Sequence, residues 1–374
     1  MRVIFVTKRQ YMQKDVIDDH YARLYELPNQ LAQQGHQVFG WCLSYRKRKE
    51  GAFQHYQEGN SALSWRSYNI GILIFPGLIR YIYSVISMTR EVLPDIFLGS
   101  SDCPMVILTA FFSYLTGIPY FIDLYDNYEC FGLARIPGIL LLYRWAIKHS
   151  AGVCCVSEPL SDYIRQRYGH QNVLTLESTI KGGDFYPQEK LTARVVMGLP
   201  SSVKIIGVAG SLNRNRGINL LYDSFLRLAE SLPDLHLVLA GTIDSASPSP
   251  LHPRIHYLGL LPHKDIVNFY SALDLAVVCM RDTEFGRYAF PQKTYEILAC
   301  NTPILTAKLG ALKETFKDYP QCLYEPDNQK DLQTKIEKLL QNPVSINIPI
   351  PTWQDQAKNL LSWMQVSLSI NTKS

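Results

Sequence analysis

Arg214 and Arg216 stand two residues apart in the polar turn Gly210-Ser211-Leu212-Asn213-Arg214-Asn215-Arg216-Gly217. An apolar run, Val203–Ala209, leads into the turn. A periodic segment, Ile218–Ala229, leaves it with Leu220, Leu221, Phe225 and Leu228 on one helical face. A strand, a tight turn and a helix present backbone N–H groups and the positive end of a helix to an anion. Two guanidinium groups beside them suit a diphosphate. An ordinary strand-to-helix connection with two solvated arginines fits the same residues.

A second stretch adds a carboxylate. Phe290–Leu305 reads FPQKTYEILACNTPIL. Pro291 opens a helix in its first turn, and Asn301 ends it in the left-handed conformation that Asn tolerates. Lys293 and Glu296 are three residues apart and share one face. A carboxylate placed there can accept two hydroxyl hydrogen bonds, as from a ribose. A surface ion pair is the plainer alternative.

The rest of the chain must position these two stretches. Its 374 residues are enough for about two domains. With 47% apolar and 19% charged residues, large cores are available and disorder is excluded. A net charge of +4 and the lack of any nucleic-acid motif exclude a nucleic-acid binder. The eight cysteines show no metal spacing and read as buried free thiols of a reducing compartment. The first residues, MRVIFVTKRQ, hold too short an apolar run for a signal peptide and read as a strand. Two segments imitate membrane spans. Ile70–Met88 contains Pro76 and Arg80, while the uncharged Pro104–Ile122 is cut by Gly117-Ile118-Pro119 into a buried helix and a strand.

Strands and helices alternate throughout. In the first half, strands are expected at Val3–Val6, Gln37–Trp41, Asp95–Leu98, Tyr120–Leu124, Gly152–Val156 and Val173–Leu176. Helices are expected at Tyr21–Gln34, Met105–Leu115, Leu140–His149 and Leu160–Tyr168, the last opening at Ser157. After a polar linker, Lys181–Pro200, strands recur at Val203–Ala209, Leu235–Ala240, Ile255–Leu258, Leu275–Val278 and Pro303–Thr306. Apolar strands separated by helices predict two parallel sheets, each covered on both faces. Ligands of such sheets bind at the carboxyl ends of the strands, here in a cleft between two domains. Thr352–Met364 reads as an amphipathic helix with Trp353, Ala357, Leu360, Leu361 and Met364 inward.

The two stretches together resemble the nucleotide-sugar half of retaining GT-B glycosyltransferases of the large family-four group. That family carries a G-R-L-x-x-x-K-G loop, matched by Gly210–Gly217, and E-A-M-A-x-G-x-P-V, matched by Glu296–Ile304. Pro291, Lys293 and Glu296 fit a Pro-x-Lys-x-x-Glu form found in part of the group. Weaker matches cover nearly the whole chain, in family order: Leu27–Val38, Leu93–Ile96, Gly117–Asp126, Val156-Ser157, Lys181–Phe185 and Thr352-Trp353.

The resemblance implies an α/β, GT-B architecture: two Rossmann-like parallel-sheet domains facing a cleft. Residues 1–185 would bind the acceptor, 186–350 the nucleotide sugar, and a helix in 351–374 would cross back to the N-terminal domain. It implies a nucleoside-diphosphate sugar donor and a saccharide or lipid-linked acceptor. Transfer would retain configuration and need no metal. Donor-binding residues would be Gly210, Ser211, Asn213, Arg214, Arg216, Lys293 and Glu296, with Arg216 on the diphosphate and Glu296 on the ribose. Arg216, Asp126 and Glu284 are the candidate catalytic residues. Asp19, His20 and Tyr125 are the candidate acceptor-binding residues.

Departures from the family pattern also carry information. Ser211 replaces the family arginine, so one phosphate contact is missing or is supplied by Arg214. The glycine pair after the first strand is absent, and the longer polar loop Thr7–Asp19 stands there. Tyr125 replaces a histidine that contacts the donor sugar. The family's second glutamate would fall on Tyr288. Glu284 lies four residues early and could reach the sugar if Arg287–Phe290 looped out.

The basic run Tyr45–Lys49, near Trp41 and Phe53, and the apolar segment Ile72–Arg90 make an anionic membrane surface a further candidate partner. The expected setting is cytoplasmic, peripheral on a membrane face. Two other functions compete: a catalytically weak nucleotide-sugar-binding subunit, and a nucleotide-sugar epimerase or hydrolase on the same plan.

Overall fold

The computed structural model describes residues 1–11 and 14–371, and contains two compact units. The first comprises Met1–Thr179 with Thr352–Ser374, and the second comprises Ile180–Pro351.

The first unit is built on an eight-stranded sheet. Its order is Val173–Thr175, Gly152–Cys155, Tyr120–Leu124, Ile96–Ser100, Arg2–Lys8, Gln37–Ser44, Ser61–Asn69 and Gly51–Glu58. All neighbours are parallel except the last pair, which is antiparallel. Sequence periodicity did not mark that last pair as strands. Gly51–Glu58 is mostly exposed, so it lacks the apolar run that identifies a buried strand. Ile4, Phe97, Ile122 and Val153 are fully buried, as a parallel sheet covered on both faces requires. The helix Trp353–Asn371 sets Trp353, Ala357, Leu360 and Met364 into a core shared with Leu24, Leu27 and Leu31 of the helix Arg23–Gln33.

The segment Pro104–Ile122 forms the helix Cys103–Thr116, Gly117 at a φ of 72°, and then the strand Tyr120–Leu124. Asp102 caps the helix by accepting from the Met105 N–H at 3.1 Å. Among the described residues no helix is long and apolar enough to cross a membrane.

The second unit is a six-stranded, wholly parallel sheet. Its order is Ile255–Tyr257, Leu235–Ile243, Lys204–Leu212, Leu275–Val278, Ile304–Ala307 and Leu323–Tyr324. The unit begins at Ile180 rather than at residue 186. Phe185 is buried here, its ring edge-on to His263 at 5.4 Å. The expected linker also contains a helix, Lys190–Val196. Its polar sequence hides an anchor: Arg194, 3% exposed, holds Asp274 at 2.7 Å and donates to the Ala272 carbonyl at 3.0 Å.

Candidate functional site

The central strand of the second unit, Lys204–Leu212, carries the expected turn residues at its carboxyl end. Ile205, Ile206, Val208 and Ala209 are buried between two neighbouring strands. The strand runs three residues beyond Ala209, so Gly210, Ser211 and Leu212 are paired backbone rather than turn. Gly210 has a φ of +113°, a conformation that favours glycine. A Cβ on Gly210 would lie 2.8 Å from Lys293 Nζ, so its bare backbone is what lets that ammonium approach.

The turn proper is Asn213–Gly217. The Asn213 carboxamide oxygen accepts from the Arg216 N–H at 3.0 Å, and its NH2 donates to Ser211 Oγ at 2.8 Å. This folds Arg214–Arg216 into one 3-10 turn, and Gly217, at φ 81°, starts the helix Ile218–Ser231. Arg214 is exposed, whereas Arg216 is partly covered. The Arg216 guanidinium lies 5.1 Å from the centroid of the Phe285 ring.

Phe285 belongs to the short helix Glu284–Tyr288, capped by Thr283, whose hydroxyl accepts from the Gly286 N–H at 3.2 Å. The expected looping-out of Arg287–Phe290 therefore does not occur. Arg287 and Tyr288 are helical, and Arg287 pairs with Asp282 at 2.5 Å. Glu284 is exposed in the first turn of this helix, next to the ring that faces Arg216.

Lys293 begins the helix Lys293–Ala299, and Asn301 ends that segment at φ 52°. Lys293 Nζ donates to the Ala209 carbonyl. Burial first, and then the Arg216 charge, lower its pKa to about 8, while Glu296 and Cys279 act in the other direction. Glu296 is 9% exposed. Burial pushes its carboxyl up to about 7, against the pull of Lys293 and of hydrogen bonds from Tyr270 and Gln292. Lys293 thus feels Arg216 and Glu296 together. Two cations and a carboxylate converge beside one strand end.

Tyr270, Gln292 and Phe285 are the supporting residues that sequence reasoning missed. Tyr270 comes from another helix, Ile266–Ser271, and no local spacing links it to Glu296. Phe285 lies inside the Glu284-Phe285-Gly286 resemblance, which was the available signal.

The remaining candidates lie in the first unit. Asp126 is 9% exposed and accepts from the Asn127 N–H at 2.9 Å. Tyr125 donates to the Ser101 carbonyl at 2.8 Å, with its ring edge-on to Tyr11 at 4.7 Å. Asp19 accepts from the Asp15 N–H at 2.6 Å and sits 3.9 Å from Lys14 Nζ. His20 stacks on Tyr25 at 4.5 Å.

The loop Thr7–Asp19 folds around buried Arg9, whose Nε lies 2.8 Å from one Asp15 carboxylate oxygen and 2.9 Å from the other. Its other nitrogens reach Asp18, Ser67 and the Lys49 carbonyl. Met12 and Gln13 of that loop lie outside the described residues.

Comparison with known proteins bears on both units. Residues 189–358 match the family model for glycosyl transferases group 1. A D-inositol 3-phosphate glycosyltransferase of Mycolicibacterium gilvum is 27% identical over 146 residues, covering 36% of this chain and 31% of that protein. The chain thus matches about a third of the length of such curated relatives. Among solved structures, sucrose-phosphate synthase from Thermosynechococcus elongatus superposes with a TM-score of 0.72 at 16% identity, over 99% of this chain and 97% of its own. Anabaena HepE in complex with UDP gives a TM-score of 0.68 at 14% identity, over 100% and 99%. The chain has the two-domain GT-B fold, and its match to the glycosyl transferases group 1 model falls mostly on the second unit.

Proposed function

We propose that this GT-B chain is a retaining glycosyltransferase. It moves a sugar from a nucleoside-diphosphate sugar to a hydroxyl of a saccharide or lipid-linked acceptor, in cell-surface polysaccharide or glycolipid assembly. The observation that carries this reading is the convergence of Arg216, Lys293 and Glu296 beside the carboxyl end of one strand. An ammonium lowered to about 8 by burial and by Arg216 is short of negative charge. A diphosphate supplies that charge, and the nearby Glu296 carboxylate can accept from ribose hydroxyls. That the GT-B protein HepE was solved with UDP makes UDP the first nucleotide to try.

In the proposed reaction the bond between the sugar's anomeric carbon and the diphosphate oxygen breaks, and both electrons leave with the diphosphate. Arg216 and Lys293 meet the growing charge, which is where preorganised cations lower a barrier. With two cations on the leaving group, no metal is called for. The acceptor oxygen bonds to the anomeric carbon on the face the diphosphate leaves, and its proton passes to a departing phosphate oxygen. Glu284 is assigned to donor sugar hydroxyls, and Asp126, in the first unit, to orienting the acceptor. The free state of all eight cysteines supports a reducing, cytoplasmic setting.

Calorimetry with UDP, GDP and ADP on the wild type and on Arg216→Ala tests the site. A nucleoside-diphosphate release assay with candidate acceptors tests the chemistry. Binding without release would favour the binding-subunit alternative. Equal nucleotide affinity in Arg216→Ala would remove the site altogether.

A further inference from the structure

Right-handed crossovers sort the helices of the first unit onto two faces of its sheet. Arg23–Gln33 lies on one face, packed beneath the C-terminal helix. Ile74–Val92, Cys103–Thr116 and Ile139–His149 lie side by side on the other. Among the described residues, the outer side chains of this second layer include many that are exposed.

In the helix Ile74–Val92, Tyr81, Val85 and Thr89 are buried. Its outer side and its lead-in are apolar too: Ile72, Leu73, Phe75, Ile79 and Tyr83 are each more than half exposed. Tyr114, Leu141 and Leu142 extend the surface across the next two helices, with Trp145 at 44% exposure. A surface helix ordinarily turns polar residues outward. Apolar area on this scale marks an interaction surface.

Charge says what covers it. The stretches 70–93, 103–116 and 131–149 carry Arg80, Arg90, Arg135, Arg144 and Lys148 against Glu91, and Glu129 just outside them holds Arg144 at 3.6 Å, which leaves the face net basic. The basic run Arg46–Lys49 is fully on the surface and is fixed to the same edge. The Arg48 N–H donates to Asn69 Oδ1 at 3.0 Å, and Glu50 holds Arg80 at 2.5 Å. A second copy using this face in a two-fold dimer would set cations against cations. An anionic bilayer satisfies both features, apolar side chains entering below the headgroups and basic ones meeting the phosphates.

We propose that this three-helix face seats the first unit on an anionic phospholipid membrane, with Ile72–Phe75 as the leading insertion and Arg46–Lys49 as its electrostatic anchor. The surface stands independently of the transferase reading.

The test is co-sedimentation of the full chain with phosphatidylcholine vesicles, with and without phosphatidylglycerol, at low and high salt. Binding should require the anionic lipid and weaken as salt rises. Replacing Arg46, Lys47, Arg48 and Lys49 by Gln should lower partitioning by about a hundredfold or more. Phe75→Ser and Leu73→Ser should each lower it by about tenfold. Trp145 is the one exposed tryptophan of the five, so its emission should shift to the blue on anionic vesicles and lose that shift in Trp145→Phe. Circular dichroism separates lost binding from lost folding. No sedimentation with anionic vesicles overturns the proposal, as does binding that ignores both sets of substitutions. Concentration-dependent dimerisation abolished by Phe75→Ser, without vesicle binding, assigns the face to a second copy and overturns it equally.

Discussion

Two sets of buried charges, one in each unit, are handled in opposite ways. In the first, buried charges are paired. Arg23, 0% exposed, holds Asp123 at 2.7 Å and also donates to the Leu176 carbonyl. Arg9 is similarly saturated by Asp15 and Asp18. In the second, burial displaces Lys293 and Glu296 toward each other, to about 8 and about 7, and Arg216 adds to the Lys293 shift. One arrangement holds a fold together, while the other leaves work for a ligand. Buried charge alone is therefore a poor guide to a site, and charge held away from its ordinary state is a better one.

Several substitutions would break or sharpen that contrast. The largest effect belongs to the first unit. Asp123→Asn strands the Arg23 charge and should cost about 3–5 kcal/mol of stability. Chemical denaturation should show the loss with UDP affinity unchanged wherever the protein remains folded. A fall in UDP affinity would mean that the paired charges serve the ligand too. Next, Arg216→Ala should lower the rate of nucleoside-diphosphate release by about a hundredfold or more. A loss of only a few-fold would place the arginine outside the reaction.

Glu296→Gln should weaken UDP by about tenfold and leave inorganic pyrophosphate unaffected, if its partner is a ribose. Equal weakening of both would move the carboxylate to the phosphates.

The pH dependence follows from two signs. Glu296 accepts hydroxyl hydrogen bonds best when ionised, above about 7, and Lys293 binds phosphate when protonated, below about 8. UDP affinity should peak between these values and fall on both sides. Binding above the upper value should take up a proton, because the diphosphate raises the Lys293 pKa. Calorimetry in buffers of different ionisation enthalpy reads both, and a flat profile from acid to alkali would undo the assignment. The smallest effect is that of Tyr125→Phe. Losing its bond to the Ser101 carbonyl should cost about 1 kcal/mol of stability. A large drop in turnover instead would give Tyr125 a direct role.

Much of this was legible in the residues. Continuous apolar runs such as Leu275–Val278 matched the observed strand end for end, because a strand buried on both faces needs no alternation to be read. The Gly51–Asn69 hairpin was not legible. Its outer strand is exposed and mixed in composition, so only pairing with Ser61–Asn69 defines it. Arg216 and Glu296 were candidates because each lies in a short stretch, one turn and one helix, that resembles a family motif. Tyr270 and the Ala209 carbonyl could not, since each meets its partner through the fold rather than along the chain.

The helix Trp353–Asn371 has a consequence for how the protein is made. Its apolar side chains complete a core begun at residue 3, with all of Ile180–Pro351 lying between in sequence. A nascent chain can finish its second unit on the ribosome while the first still shows Leu24, Leu27 and Leu31 to water. The earlier half of the polypeptide is thus the last to complete its core.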